Sequence, residues 1–511
     1  MNDFASPQPA WQSKTAVTKL PPLLIAVAIA AAAGAQTPLP TAPSSLLAAQ
    51  SQPAGSGMVF TAPATTPGPG GLLIEQPKDG ALPLSLDDAI SLGLARNVRL
   101  KYDRANEREV KGDTLGVLNA LIPSLTLNAQ TSAQEINLAA LGFKPSLFAN
   151  FAATGLIPPG TVIATIVKVD TTQASLNANQ VLFNLPDYEI YRGTKNEANV
   201  VGLTTLNDRG DLVLAVGMTY LQVLADQANL TNAQAQERSA KVLFDQAADK
   251  HNAGVGTNLD ALRGQVEYQQ RQQDVVAAQS NLEKDTIQLT RILGLPAGQK
   301  LELTDTAPFA QLADMDLETA KATAYTRRKD LLVLESQIEL TMRELKAVKY
   351  QRLPTLAFNG YYGVIGLTTG SYHGNFNAEG TLSVPIFREA AQRGEQEVVD
   401  SQLTSLRQRE ADLRVTIDSQ IRSAMLDVNA ADELVKVAQS NVDLAQQELS
   451  DERDRFSAGV DDNLAVVDAE GTVASAQFQL VHSLYQYNVA KLQLARNSGV
   501  VETRYRDYLG K

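Results

Sequence analysis

The chain of 511 residues contains no cysteine, one tryptophan and three histidines. Without cysteine it can form no disulfide, no thiolate metal site and no lipidated N-terminal cysteine. His251, His373 and His482 do not lie within four residues of one another or of any plausible ligand cluster, which argues against zinc. No glycine loop of the phosphate-cradling kind and no nucleophile elbow occurs, so nothing supports an enzyme or a bound cofactor. Long apolar runs are missing too. No stretch approaches the roughly 18 consecutive apolar residues of a membrane-spanning helix, so any crossing of a bilayer has to be made by strands. The formal net charge of −12 makes a poor match for nucleic acid.

What is present begins with an address. Lys14 and Lys19 precede an uncharged run from Pro21 to Ala33 that continues into Gly34-Ala35, and residues 1–35 read as a signal peptide. Residues 36–79, rich in Pro, Ala, Ser and Thr and uncharged as far as Gly71, read as a flexible leader unable to bury enough apolar surface to fold.

The rest repeats itself. Leu84-Ser-Leu-Asp87 through Arg96 matches Met315-Asp-Leu-Glu318 through Arg327, and Pro123-Ser-Leu125 matches Pro354-Thr-Leu356. Further on, Ala253-Gly-Val255 matches Ala458-Gly-Val460, and Arg291 and Gly294 match Arg496 and Gly499. The chain thus divides into a first copy (80–299), a second copy (300–500) and a short tail (501–511), with about 27 extra residues in the first copy between Pro123 and Phe183. Each copy opens with a short helix, for which Ser85 and Asp88 form a capping pair. Two alternating segments follow, and then two very long helices joined by a glycine-containing turn.

The alternation is of strand period. Leu125, Leu127 and Ala129 share one face, as do Leu176 and Ala178, then Leu356, Phe358, Tyr362 and Val364, then Phe376, Ala378, Leu382 and Val384. A half-buried soluble sheet gives the same pattern and, on the strands alone, is the simpler reading. The helices carry a stronger signal. Ile417, Ile421, Ala424, Val428, Ala431, Val435, Ala438, Val442, Ala445 and Leu449 alternate spacings of four and three, a heptad seam. Val466, Ala469, Val473, Ala476, Leu480, Tyr487, Ala490 and Leu494 keep the same rhythm. In the first copy the seam is read through Leu214, Leu221, Ala228, Ala235 and Val242. Proline-free runs from about Asp187 to Ala248 and from about Arg388 to Ser457 imply helices of roughly 90–100 Å.

Four amphipathic strands cannot close a barrel in lipid, because an open edge leaves backbone groups unpaired in hydrocarbon. Two chains would supply eight strands, whose interior fills with its own side chains, whereas three supply twelve and leave a pore. The segments Leu84-Ser-Leu-Asp-Asp-Ala-Ile90 with Arg96-Asn97, Pro123-Ser-Leu125, Val384-Pro-Ile-Phe387 and Phe456 through Ala469 resemble the TolC-type outer-membrane efflux protein family, in order, over about residues 80–500. The resemblance implies a mixed α/β membrane protein. It would be a homotrimer with a twelve-stranded transmembrane β-barrel, four strands per protomer, continuing into an α-helical coiled-coil tunnel in the periplasm. It further implies contact with outer-membrane lipid, a periplasmic adaptor and an inner-membrane pump, and passive export of drugs, small molecules or proteins. The alternative from another class is a soluble coiled-coil scaffold whose strands form a packed sheet.

The turns at Gly254 and Gly459 lie farthest from the strands. Glycine there serves a left-handed backbone in a tight reversal; the resemblance adds that these turns are both the periplasmic gate and the adaptor's docking surface. Matched to the family's gate motif, Phe456 replaces a tyrosine, Asp461 an arginine and Ala465 an aspartate, while Asp260 and Asp468 are kept. An Asp–Arg latch at Asp260 is thereby excluded, leaving a latch through Lys250 or Arg455, or a looser gate. Asp468 is open to two readings, an inward acidic ring in the trimer or a helix-start aspartate favoured by the helix dipole. Asp461 and Asp462 read as a solvated acidic turn rather than a calcium site. The loop from Ile136 to Val169, with Phe143, Phe148 and Phe151, is assigned to the extracellular mouth.

Overall fold

The computed structural model describes residues 80–137, 140, 166–305, 310–312, 316–458 and 463–510. The signal segment, the leader and the aromatic residues of the long loop lie outside them. Among the described residues one order of elements runs twice. Strand β1 (Leu82–Leu84) is followed by α1 (Leu86–Arg96), α2 (Val98–Leu118), β2 (Ser124–Asn137), β3 (Ile166–Phe183), α3 (Leu185–Asn252) and α4 (Asn258–Ile292). Strand β4 (Leu301–Leu303) is followed by α5 (Leu317–Arg327), α6 (Lys329–Tyr350), β5 (Thr355–Leu367), β6 (Tyr372–Ser383), α7 (Glu389–Ser457) and α8 (Asn463–Asn497), and α9 (Val501–Leu509) comes last. The capping pair forms as the sequence indicates: the Ser85 hydroxyl accepts from the Asp88 amide at 3.1 Å and donates to the Asp88 carboxylate at 2.6 Å. Strands β2 and β3 take in residues 136–137 and 166–169 at the two ends of the segment read as loop, and His373 falls within β6.

Only one helix of each pair is very long. Helices α3 and α7 have 68 and 69 residues, while α4 and α8 have 35 each. Along α3 the half nearer the sheet packs instead against α2 and α6, two helices that the sequence reading missed. Their omission has a physical cause. Helix α2 buries only Leu100 and Val110, so its apolar period is nearly blank.

The seam of α7 is buried from Ile417 to Ala445 as the heptad spacing requires, and Leu449 is half-buried. In α3 the heptad frame has to be corrected. Ala235 and Val242 are exposed, whereas Ala233, Ala240, Leu243 and Ala247 are buried. The true frame runs upward through Asp226, Asn229 and Gln236, and its polar residues hide it from an apolar count.

The largest core lies where α1, α3, α4, α8 and α9 meet the small β1–β4 parallel sheet, around Leu86, Val216, Tyr220, Leu289, Leu492 and Leu509. The single Tyr220 hydroxyl proton is shared between the Leu84 carbonyl at 2.9 Å and Asp305 at 3.1 Å, and Asp305 also accepts from the Leu86 amide at 2.7 Å. Gly217 lets α3 press on α8; a Cβ there would stand 2.8 Å from Leu492 Cδ1. The tail is tied down as well, with Glu502 of α9 paired to Arg209 and Arg506 to Asp87.

The second sheet is antiparallel in the order β2-β3-β5-β6, so the hairpins of the two copies join through β3 and β5. Register places Leu127, Leu176, Tyr362 and Phe376 in one row across all four strands. The adjoining row on the opposite face is Thr126, Asn177, Tyr361 and Asn377. The apolar row is uncovered, with exposures of 74, 48, 70 and 74 %.

Leu243→Ala should cost about 2–5 kcal/mol of unfolding free energy by chemical denaturation, while Val242→Ala next to it stays within about 1 kcal/mol; the reverse order would restore the first frame. Lys491 of α8 is fully buried, its ammonium 4.3 Å from the Tyr487 ring centroid and donating to the Ala310 carbonyl at 3.0 Å. Burial pushes it down to about 8, with Asp432 opposing. The folded chain therefore releases this proton before the unfolded chain does, and stability relative to Lys491→Met should rise between pH 8 and 10.5 and be flat below pH 8.

Candidate functional site

The turn of the first copy is built by backbone bonds. Helix α3 ends at Asn252 with Ala253 as its C-cap, and Gly254 follows in the left-handed conformation, φ +79°. The Gly254 amide donates to the His251 carbonyl and the Val255 amide to the Lys250 carbonyl, each at 2.9 Å, which is a Schellman closure. Gly256, which the sequence reading passed over, is required for a different reason. A Cβ there would lie 2.9 Å from Lys250 Cβ and 3.2 Å from the His251 nitrogen. Thr257 then caps α4: its hydroxyl accepts from the Asp260 amide at 3.1 Å and donates to the Asp260 carboxylate at 2.6 Å. Arg263 stands 4.0 Å from the same carboxylate. Asp260 is thus engaged within its own helix start.

In the second copy Gly459, Asp461 and Asp462 lie outside the described residues. Phe456, in the last turn of α7, is half-buried, and the Lys250 ammonium sits 3.8 Å from its ring centroid. This cation–π contact joins the end of α3 to the end of α7. Arg455 instead pairs with Glu452 of its own helix at 2.8 Å. Of the two latch residues left open by the sequence, Lys250 makes a contact that crosses between the copies.

A second tie lies deeper. Arg453 of α7 pairs with Glu470 of α8 at 2.7 Å, and Ser239 of α3 donates to the same Glu470 oxygen at 2.7 Å. Arg453 also donates to the Ser239 hydroxyl. Glu470 is 6 % exposed, so its charge depends on these partners. Sequence reasoning missed all three residues, because each is a single polar side chain with no period or motif around it.

Asp468 is exposed, two residues before Glu470 on α8. It lines a groove of about 820 Å³ between α4, α7 and α8, together with Glu267, Glu448 and Arg271. The Arg271 guanidinium is spoken for by Glu267 at 2.7 Å and Asp274 at 3.1 Å, which leaves the groove acidic on balance. Among the described residues no group of three or more His, Asp or Glu is placed to hold a metal, and no helix is long and apolar enough to cross a membrane.

Comparison with known proteins places this arrangement. The family model described as outer membrane efflux protein matches residues 90–295 and 322–500, one span in each copy. The chain is 23% identical over 357 residues to the alkaline protease secretion protein AprF of Pseudomonas aeruginosa, covering 65% of this chain and 70% of that protein. It is 21% identical over 435 residues to the outer membrane protein TolC of Escherichia coli, covering 82% and 85%. The crystal structure of CusC, described in connection with folding and transmembrane channel formation, superposes with a TM-score of 0.69 at 15% identity, covering 81% of this chain and 92% of that one. The fold is therefore shared at a sequence distance where little but the fold persists. This chain belongs to the outer membrane efflux protein family, and it is an outer-membrane exit duct for efflux or secretion whose helices stand in the periplasm.

Proposed function

We propose that three copies assemble into one duct, with a twelve-stranded barrel in the outer membrane and the long helices forming a periplasmic tunnel. The observation that carries this reading is the uncovered apolar row Leu127, Leu176, Tyr362 and Phe376, backed by a polar face. A soluble sheet of this width would need protein over that row, whereas lipid supplies the cover in a barrel. The outer edges of β2 and β6 pair with no other strand among the described residues, which suits their meeting across subunits. The reading as a soluble scaffold is not favoured.

The duct is passive and performs no catalysis; an inner-membrane pump, reached through a periplasmic adaptor, supplies the energy. Residues 36–79 act as a leader behind the cleaved signal segment. The turns at Gly254 and Gly459, with Asp260, Phe456, Asp461, Asp462 and Asp468, form the periplasmic gate and the adaptor contact. In place of an Asp–Arg latch, Lys250 on Phe456 and Arg453 with Glu470 and Ser239 hold the helix ends together. The cargo class is drugs, small molecules or proteins.

Phe376→Lys, on the lipid side, should cost about 2–4 kcal/mol if the residue lies near the bilayer midplane, and deplete the heat-labile trimer in outer-membrane fractions. Asn377→Lys, facing the lumen, should leave assembly intact; equal loss from both would remove the barrel reading. With three copies of Asp468 around one lumen, Asp468→Ala should weaken multivalent-cation block of single-channel current. Unchanged block would leave Asp468 as a helix-start residue only.

A further inference from the structure

Inside the chain the two copies meet along one seam. Strand β3 of the first copy lies antiparallel beside β5 of the second, with Asn177 opposite Tyr361, Ala178 opposite Gly360 and Phe183 opposite Leu356. Leu182-Phe183 matches Ile386-Phe387 in sequence, as Pro354-Thr-Leu356 matches Pro123-Ser-Leu125, so β6 is the counterpart of β3 and β2 the counterpart of β5. These two counterparts are the outer strands of the sheet. From Gln180 to Phe183, β3 is paired to β5 alone. The matching residues Val384 to Phe387 follow β6 with no strand beside them among the described residues. Exposure differs accordingly. Phe183 is 44 % exposed and Phe387 92 %; Leu356 is half-buried and its counterpart Leu125 exposed. The helices carry the same contrast. Leu492 of α8, packed beside Gly217 of α3, is 1 % exposed, while its counterpart Ile287 of α4 is 69 % exposed. Leu221 of α3, in the same core, is 3 % exposed, and its counterpart Leu426 of α7 68 %.

Residues covered where the first copy meets the second therefore have bare twins at the outer edges, β6 with α7 and β2 with α4. Resting on the three-copy reading above, we propose that each subunit boundary copies the internal seam, so that β6 of one subunit pairs with β2 of the next in the register carried over from β3 and β5. Thr381 then stands opposite Gln130 of the next subunit, Leu382 opposite Ala129, and Phe387 is seated on Leu125. The outer strands run in opposite directions, so antiparallel pairing is kept around the ring. Alternation agrees with this register. It sets Leu382 and Val384 beside Ala129 and Leu127 on the apolar face, and Thr381 beside Gln130 on the polar one, whereas a slip of one residue would put Leu382 beside Asn128 or Gln130. Along the helices the same copying lays α7 of one subunit on α4 of the next, which covers Leu426 and Ile287 and removes their apolar surface from water.

Because the chain has no cysteine, cysteine pairs introduced into the full-length protein report only on themselves. Leu382→Cys with Ala129→Cys, and Thr381→Cys with Gln130→Cys, are oxidised with copper phenanthroline in outer-membrane fractions and read on denaturing gels with and without reductant. Adjacent pairs alternate between the two geometries of an antiparallel ladder, so one of the two has the closer approach. Within one chain β2 and β6 stand three strand spacings apart, roughly 14 Å, too far for a disulfide, so every bond formed joins two subunits. At least one matched pair should give a reductant-sensitive covalent trimer as its main product. The shifted pairs, Leu382→Cys with Leu127→Cys or with Thr131→Cys, should give roughly fivefold less. Independently of any cysteine, Phe387→Ala and Leu125→Ala should each lower the temperature at which the trimer comes apart, and together by no more than the larger single loss. Additive losses, a shifted pair linking as well as the matched ones, or no link in either matched pair while the heat-labile trimer persists would overturn the register and leave the three-copy reading standing. Absence of any trimer from the cysteine-free protein would overturn both.

Discussion

Helices of 68 and 69 residues hold together only if neighbours can approach closely along their whole length. Small side chains make that possible. Alanine recurs in the buried seam of α7 at 424, 431, 438 and 445, and in that of α3 at 233, 240 and 247. Gly217 makes room for the Leu492 side chain of α8 against α3, and Gly264 brings α4 onto the α3 backbone at Phe244. Such a seam buries little area per turn, so the helices depend on its continuity and on a dense core at one place. That place is the junction around Tyr220, Leu492 and Leu509, where both copies, the β1–β4 sheet and the last helix converge.

Polar residues interrupt this packing at defined levels. Near the turns, Glu470 is neutralised by Arg453 and bound by Ser239, and Lys250 rests on Phe456. These contacts cost burial of charge, and they are satisfied only while α3, α7 and α8 stay in register. Nearer the core, Asp226 of α3 is hydrogen-bonded to Asp285 of α4, and burial and then that bond hold the Asp226 carboxyl up, to about 7. The first arrangement specifies one alignment of the two copies, and the second ties α3 to α4 within the first copy.

The sheet inverts the usual rule for a protein in water. Its apolar side chains are left uncovered on one face and its polar ones occupy the other, four strands across. In the proposed duct, that uncovered apolar face is the side that lipid would cover, and the long helices are the part that would form the tunnel.

The duplication, the strand alternation, the Ser85 cap and the α7 seam were legible in the sequence, because each is a local period or a cap whose residues act on neighbours three, four or two positions away. The turn at Gly254 was legible for the same reason. The frame of the α3 seam was not, since its inward positions include Asp226 and Asn229, whose polarity an apolar count does not register. Gly256 was missed because its constraint is a clash with Lys250 across a closed turn. The Arg453–Glu470–Ser239 tie joins residues up to 231 positions apart, and the union of the two hairpins through β3 and β5 spans a comparable distance. Periodicity determines which face of an element is buried; only the packed tertiary structure decides which distant partner that face meets, because the contact energy depends on both surfaces at once.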